Sequence, residues 1–366
     1  MARQVYQAER IFDGSDWHED AALVVEDGRV VDFTREKGVL LTGFIVPGLV
    51  DLQVNGGGGR LLNNAPTLET IHHMRLAHAG FGTTSIMATL ITDGPDVTRA
   101  AIAAAKDAPG LLGLHLEGPH LDTARKGTHD PGLIRPMAAD DLAVLLQAAK
   151  DLPHLICTLA PEAVGLEQVQ ALVGAGAVVS LGHTDCTHPT ARAYTEAGAS
   201  MVTHLFNAMS QMQHRAPGLV GAALSDSRLW AGLIADGFHV DDAVIQVALR
   251  AKDEIFLVSD SMSTIGSDQT SFTLNGRQIF RADGRLTLAD GTLAGADIAL
   301  LDAVRHVHLT LGLPLERALQ LASLHPARAL GLSDRGHLRP GARADFFCLM
   351  PGVKAGSCWI AGERVA

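Results

Sequence analysis

Eight apolar runs, separated by segments of a different periodicity, constrain the fold of this chain more than any other feature. The runs are FIVPGLVDLQV, TTSIMATLI, LLGLHLE, HLICTLAPE, AVVSLGH, SMVTHLFN, LWAGLIAD and EIFLVSD, and they run out into polar residues or glycine. Between them lie Ala-rich segments such as LETIHHMRLAHAG, VTRAAIAAAKDA, ADDLAVLLQAAKD and DDAVIQVALRAK, whose apolar residues recur at helical spacing; only the segment after the sixth run is weakly helical. A strand that is apolar without alternation is buried on both faces, which is the condition of a parallel sheet with helical crossovers. Eight such units predict an α/β chain folded as a closed (β/α)8 TIM-like barrel. The competing fold, an open doubly wound sheet, wants a glycine-rich phosphate fingerprint after its first strand. The glycines at 56–59 follow a strand, but they do not make G-x-G-x-x-G opening a patterned helix.

The ends of the chain read as short strands with Asp-Gly-type turns at Asp13-Gly14 and Asp27-Gly28. A late segment, SFTLNGRQIFRADGRLTLADGTLAG, carries Asn275-Gly276, Asp283-Gly284 and Asp290-Gly291, steps suited to tight hairpin turns. These patches can form one small sheet domain built from both chain ends plus an insertion. The predicted division is a small β-sandwich domain from residues 1–43 and 336–366 around a barrel over 44–335, with the β insertion near 270–293.

Composition narrows the function. Hydrophobic residues are 47% and charged residues 19% of 366, enough for a large core and against global disorder. The net charge of −11 disfavours nucleic acid and anionic membrane, both of which need basic clusters. The longest apolar stretch, residues 38–50, is interrupted by Pro47, so no membrane span is expected; the opening MARQVYQAER lacks an apolar signal core. Cys157, Cys186, Cys348 and Cys358 form no C-x-x-C pair and read as reduced structural thiols of a cytoplasmic protein.

In such a barrel the chemistry sits at the C-terminal ends of the strands. There the sequence places Gln53 and Asn55 on the first strand, Glu117 on the third, His183 on the fifth, His204 with Asn207 just beyond on the sixth, His239 near the seventh and Asp260 on the eighth. Glu117, His183 and His204 make a candidate metal triad, since two imidazoles and a carboxylate suit a catalytic ion that keeps one position open. Taken singly, each is as well read as a satisfied buried polar group. Asp260 is the candidate general base and acid, or else the cap of a turn. For an anionic substrate, Arg215, His239, Arg125, Lys126 and His214 are the available loop cations, and any one of them is equally a solvated surface charge. The histidines 72, 73, 78, 120, 188, 306 and 308 read as surface or core fillers.

PGLVDLQVNGGGG, LHLEGPHLDTARKGTHDPGLIRP, SLGHTDCT, VTHLFNAM, HRAPGLVGA, ADGFHV and LVSDSM resemble, in order, the motifs of the N-acetylglucosamine-6-phosphate deacetylase family, within the amidohydrolase superfamily of metal-dependent barrels. The resemblance runs over residues 46–262, with weaker echoes in DGTLAGADIALLDAV, SLHPARALGL and RPGARADFFCL. It implies that Glu117, His183 and His204 hold the metal, that Asp260 is the catalytic Asp and that His129 contacts the acetamido carbonyl. It also implies that Asn207, Ala208, Arg215 and His239 hold the sugar and its 6-phosphate. In related enzymes some phosphate contacts come from a neighbouring subunit, so a homodimer is implied.

Most amidohydrolases carry His-x-His on strand one; here the pair is Gln53-x-Asn55, and neutral amides are poor zinc ligands. The expectation is therefore one divalent ion per chain, Zn foremost, with Fe, Mn and Co compatible. SDSM stands where the family usually has TDAM, and GADIAL where it has a Ser-rich loop. N-acetylgalactosamine 6-phosphate thus stays open beside the glucosamine isomer. Two further readings remain: another amidohydrolase, such as a cyclic-amide hydrolase or deaminase, and a non-enzymatic sugar-phosphate sensor. The first usually needs His-x-His, often with a carboxylated Lys, and no strand end here offers either; the second would show a lost ligand or a lost Asp260.

Overall fold

The computed structural model describes residues 3–366. All eight apolar runs form strands of one parallel sheet: Leu49–Val54, Thr83–Ile91, Gly113–Glu117, Leu155–Leu159, Val178–Leu181, Met201–Val202, Trp230–Leu233 and Ile255–Leu257, each beside its sequence neighbour. The seam between first and last is closed by a parallel bridge between Val54 and Ser261 and by Asp260 N–H donating to Gln53 O at 3.0 Å. That closure decides for the barrel over the open sheet. Leu52, Met87, Ile156, Met201 and Phe256, from five different strands, meet in one buried cluster that plugs the barrel. Each such side chain stabilises by roughly 1.5–3 kcal/mol on burial.

Outside, the helices bury one stripe each against the strands. The helix Leu68–Ala79 shows how local sequence sets this up: Thr67 caps it by accepting from Thr70 N–H, and Ile71, Met74 and His78 face inward. His73 and His78 are not fillers. Their Nε2 atoms reach Gly58 O at 2.7 Å and Gly56 O at 2.9 Å, so this helix pins the glycine loop at the barrel mouth. The loop itself is a tight hairpin with Gly58 and Gly59 in the left-handed region, which explains the glycines without a phosphate. After the sixth strand the chain makes a long loop over residues 203–217 before the helix Gly218–Ser225.

Both chain ends build the small domain. One sheet holds Gln4–Gln7, Ala22–Glu26, Arg29–Thr34 and Val39–Leu40; the other holds Arg10–Phe12, Trp17–Glu19, Phe44–Pro47, Phe346–Met350, Lys354–Ile360 and Glu363–Arg364. Tyr6, Ile11, Leu23, Ile45, Phe346 and Trp359 pack between them as a sandwich core. The run FIVPGLVDLQV is therefore two strands. Its first half pairs with Phe346–Met350, and the chain crosses to the barrel at Gly48, where an added Cβ would lie 2.1 Å from Thr84 Oγ1.

The late β patch does not join these sheets. Ser271–Leu274, Arg277–Ala282, Arg285–Thr287 and Leu293–Ala296 form an antiparallel meander of their own. Its apolar face, Phe272, Leu274, Ile279 and Leu286, packs on Leu61, Ile91 and Met262. The meander thus covers the barrel mouth instead of extending the terminal sheets. The turn residues Asn275, Gly276, Asp283 and Gly284 all have φ between 48° and 74°, as two-residue hairpins require. Among the described residues no helix is long and apolar enough to cross a membrane.

Candidate active site

The strand ends converge. Glu117 Oε1 lies 3.1 Å from His183 Nε2 and 3.0 Å from His204 Nε2, and the two imidazole nitrogens are 3.1 Å apart. All three side chains are buried, and their donor atoms all face one point. His183 Nδ1 donates to Arg125 O at 2.9 Å, because a carbonyl can only accept, and this turns Nε2 toward Glu117 and His204. Burial pushes the Glu117 carboxyl up, but hydrogen bonds from His183 and His204 outweigh it and hold the group well below the usual carboxylate range. Burial lowers the His204 imidazole, but the Glu117 and Asp260 carboxylates beside it outweigh that and raise it above the ordinary value. One carboxylate and two imidazoles, buried and with their ligand atoms within 4.8 Å of one another, fit a divalent ion such as zinc.

His183, His204 and Asp260 share a backbone feature: each has positive φ, at 49°, 31° and 48°. None is glycine, and each such residue costs on the order of 1–3 kcal/mol. These left-handed residues stand two or three positions past the strand ends, where the chain turns at the barrel mouth.

Asp260 lines the same cavity, joined to Glu117 through the Gln53 amide. Its Oδ1 accepts from Asn55 Nδ2 at 2.7 Å and from Gln53 Nε2 at 3.2 Å, while Gln53 Nε2 also reaches Glu117 Oε1 at 3.2 Å. The two strand-one amides are thus both hydrogen-bonded to carboxylates. Burial, reinforced by the Glu117 charge and only partly offset by His204 and Asn55, pushes Asp260 up to about 6.

His129 lies over the same point, its ring centroid 4.3 Å from that of His183. Burial, then the His183 charge, keeps it well below the ordinary imidazole value, so it is neutral. Its Nδ1 contacts Thr92 Oγ1 at 2.7 Å, closer than the 3.2 Å from that hydroxyl to Glu117 O. Glu117 O can only accept, so it takes the Thr92 hydroxyl hydrogen and His129 Nδ1–H donates to Thr92 Oγ1, which leaves the Nε2 lone pair of the neutral ring facing the cavity. Thr92 was not legible as functional, because the run before it, TTSIMATLI, already carries the hydroxyl residues Thr83, Thr84, Ser85 and Thr89.

These groups line one cavity of about 250 Å³. Asn207, Ala208 and His239 are on its wall; Ile91, Ile234 and Leu293 supply apolar surface. His239 Nδ1 donates to Asp236 Oδ2 at 2.7 Å, which fixes the ring. The meander contributes Thr292, Leu293 and Gly295, a wall that the sequence does not connect to the site.

Arg215 is not on this wall. It stands in the exposed loop over residues 211–216, with His214, and borders a separate cavity of about 620 Å³ beside Arg125, Asp185 and His188. Arg125 is committed to Asp185 at 2.6 Å, and Lys126 is half-buried, its Nζ 3.3 Å from Gly127 O.

Residues 44–364 match the amidohydrolase family. The chain is 39% identical over 362 residues to the N-acetylgalactosamine-6-phosphate deacetylase of Shewanella sp. (strain ANA-3), covering 94% of this chain and 91% of that one. It is 35% identical over 365 residues to the N-acetylglucosamine-6-phosphate deacetylase of Mus musculus, with 94% and 88% covered. Among solved structures it is similar, with a TM-score of 0.95, 30% identity and 99% of each chain covered, to the N-acetylglucosamine-6-phosphate deacetylase of Pasteurella multocida.

Proposed function

Because this chain belongs to the amidohydrolase family, we propose that it hydrolyses the acetamide of an N-acetylhexosamine 6-phosphate, N-acetylglucosamine 6-phosphate foremost. The products are acetate and the amino-sugar 6-phosphate. The observation that carries this reading is the sharing of one cavity by the Glu117–His183–His204 cluster, Asp260 and His129. A second reading, the galactosamine isomer as the better substrate, is favoured by the 39% identity to a relative that bears that activity.

Glu117, His183 and His204 would hold one divalent ion per chain, zinc foremost, and when bound it supplies Lewis-acid polarisation and makes water acidic near pH 7. Asp260 takes a proton from the attacking water and returns it to the departing nitrogen. Asn55 and Gln53 hold its Oδ1 while it does so. His129, on the cavity wall beside the cluster, faces the carbonyl oxygen and helps to stabilise the negative charge that develops there. Asn207, Ala208 and His239 bind the sugar phosphate, turning remote binding energy into alignment.

The cavity wall contains no Lys or Arg among its residues. A phosphate dianion left there without a cation is unfavourable. We therefore assign its partner to Arg215 on the exposed loop of a second copy, and with it a homodimer. Arg215→Ala is expected to raise KM for the 6-phosphate about 10–100-fold, the worth of one charged hydrogen bond, with free N-acetylglucosamine hardly affected. Steady-state kinetics on both compounds checks this, and equal losses on the two refute the assignment. We place the enzyme in the cytoplasm, where its four unpaired, buried thiols persist.

The deciding experiment is a coupled acetate-release assay on the two isomeric N-acetylhexosamine 6-phosphates, with and without chelator. Release from either, abolished by chelator and restored by a divalent ion, is the expected result. No release from either isomer sinks the reading.

A further inference from the structure

We propose that Asp51 is a positioning residue for Asp260: one oxygen of its carboxyl group ties the first and last barrel strands together immediately below the catalytic side chains. The proposal rests on the deacetylase reading above and deepens it.

The seam between these strands is not a regular ladder. Near the mouth it consists of Asp260 N–H to Gln53 O at 3.0 Å and of Asn55 and Gly56 N–H to Ser261 O at 3.0 and 3.2 Å. One step lower, Ser259 N–H donates to Asp51 Oδ1 at 3.2 Å, and the same oxygen accepts Gln53 N–H at 3.2 Å. The residue before Asp260 and the residue that hydrogen-bonds Asp260 therefore hang from a single atom.

A bulge makes this necessary. Opposite the second strand, Asp51 pairs with Ile86 and Val54 with Ala88, so the first strand spends three steps where its neighbour spends two. An extra residue bends the strand and re-aims the side chains beyond it. Here those are Gln53 and Asn55, the two amides on Asp260 Oδ1. The Asp51-to-Gln53 hydrogen bond spans the bulge and fixes that bend.

Asp51 is fully buried, and its Oδ2 has no partner among the described residues. A buried carboxyl with an idle oxygen is costly for the fold. Burial pushes its pKa up to about 7, and in either protonation state an unprotonated Oδ1 accepts both N–H groups. An amide can do the same, and an alanine cannot.

The test compares wild type, Asp51→Ala and Asp51→Asn on N-acetylglucosamine 6-phosphate, with metal content measured on each. Misplacing a catalytic group by about 1 Å costs on the order of a hundredfold, so Asp51→Ala is expected to lose about 30-fold or more in kcat. Its KM and metal content should stay within about twofold, and Asp51→Asn should recover most of the loss. In an Asp260→Asn background, Asp51→Ala should cost almost nothing further, because the group it positions is already gone. Wild-type-like kcat in Asp51→Ala, an asparagine no better than alanine, or full additivity with Asp260→Asn each overturns the proposal. If the alanine chain does not accumulate, Asp51→Ser replaces it; if neither accumulates, the residue is structural and positioning is refuted. A wild type inactive on both isomers brings down the deacetylase reading, and this inference with it; an active wild type with an unaffected Asp51→Ala brings down this inference alone.

Discussion

Asp260→Asn is expected to lower kcat by about a thousandfold, within the range of roughly 10²–10⁴ for the loss of a general acid–base group, while each chain keeps its full complement of metal. The substitution isolates proton transfer. Asparagine can still accept from Asn55 and Gln53 through one oxygen, and it tolerates the left-handed φ of 48° at this position better than most residues. Asp260 touches none of the donor atoms of the metal cluster closely enough to be counted with them. The pH profile gives a second readout. The carboxyl must be ionised to accept a proton, and burial raises it to about 6. Wild-type kcat/KM is therefore expected to rise with pH through about 6 and to level off above, and to lose this acid limb in Asp260→Asn. A variant with near-wild-type turnover, or one that keeps the limb, removes Asp260 from the mechanism.

Much of this was legible in the sequence for one physical reason: strands buried on both faces have to be continuous apolar runs, so a polar residue at their end is conspicuous. Glu117, His183, His204 and Asp260 stand out on that ground, and closing the barrel brings them together. What was hidden depends on pairings far apart in the chain. Phe44–Pro47 merges with the first barrel strand in the sequence, because its partner Phe346–Met350 lies some three hundred residues away. Asn275-Gly276 and Asp283-Gly284 announce hairpins, but not the surface the meander covers. Asp51 reads as one polar break in an apolar run; only the bulge and the contact with Ser259 give it a place. Arg215 was grouped with the site by motif, yet the loop that carries it has no periodicity to say where it goes, and it lies outside the cavity.

Glu117→Gln is expected to abolish stoichiometric metal binding and with it turnover. Glu117 Oε1 lies 3.1 Å from His183 Nε2 and 3.0 Å from His204 Nε2, so the carboxylate organises the other two donors. Its amide replaces an anionic oxygen with a neutral one, a far poorer ligand for a hard or borderline cation. It also removes the negative charge that offsets an ion in a buried site. Partners that only orient a ligand typically cost about 10–100-fold in metal affinity when lost, and a ligand itself should cost more. Metal analysis after gel filtration should fall from about one ion per chain to under about a tenth, and deacetylation at trace metal should fall by more than about a hundredfold. High metal should restore part of the activity, because His183 and His204 remain in place. This separates the variant from Asp260→Asn, which binds metal fully and which no metal concentration rescues. If Glu117→Gln instead keeps its ion and its turnover, the ion lies elsewhere in the barrel, and the roles assigned to His129 and Asp260 around it lose their common centre.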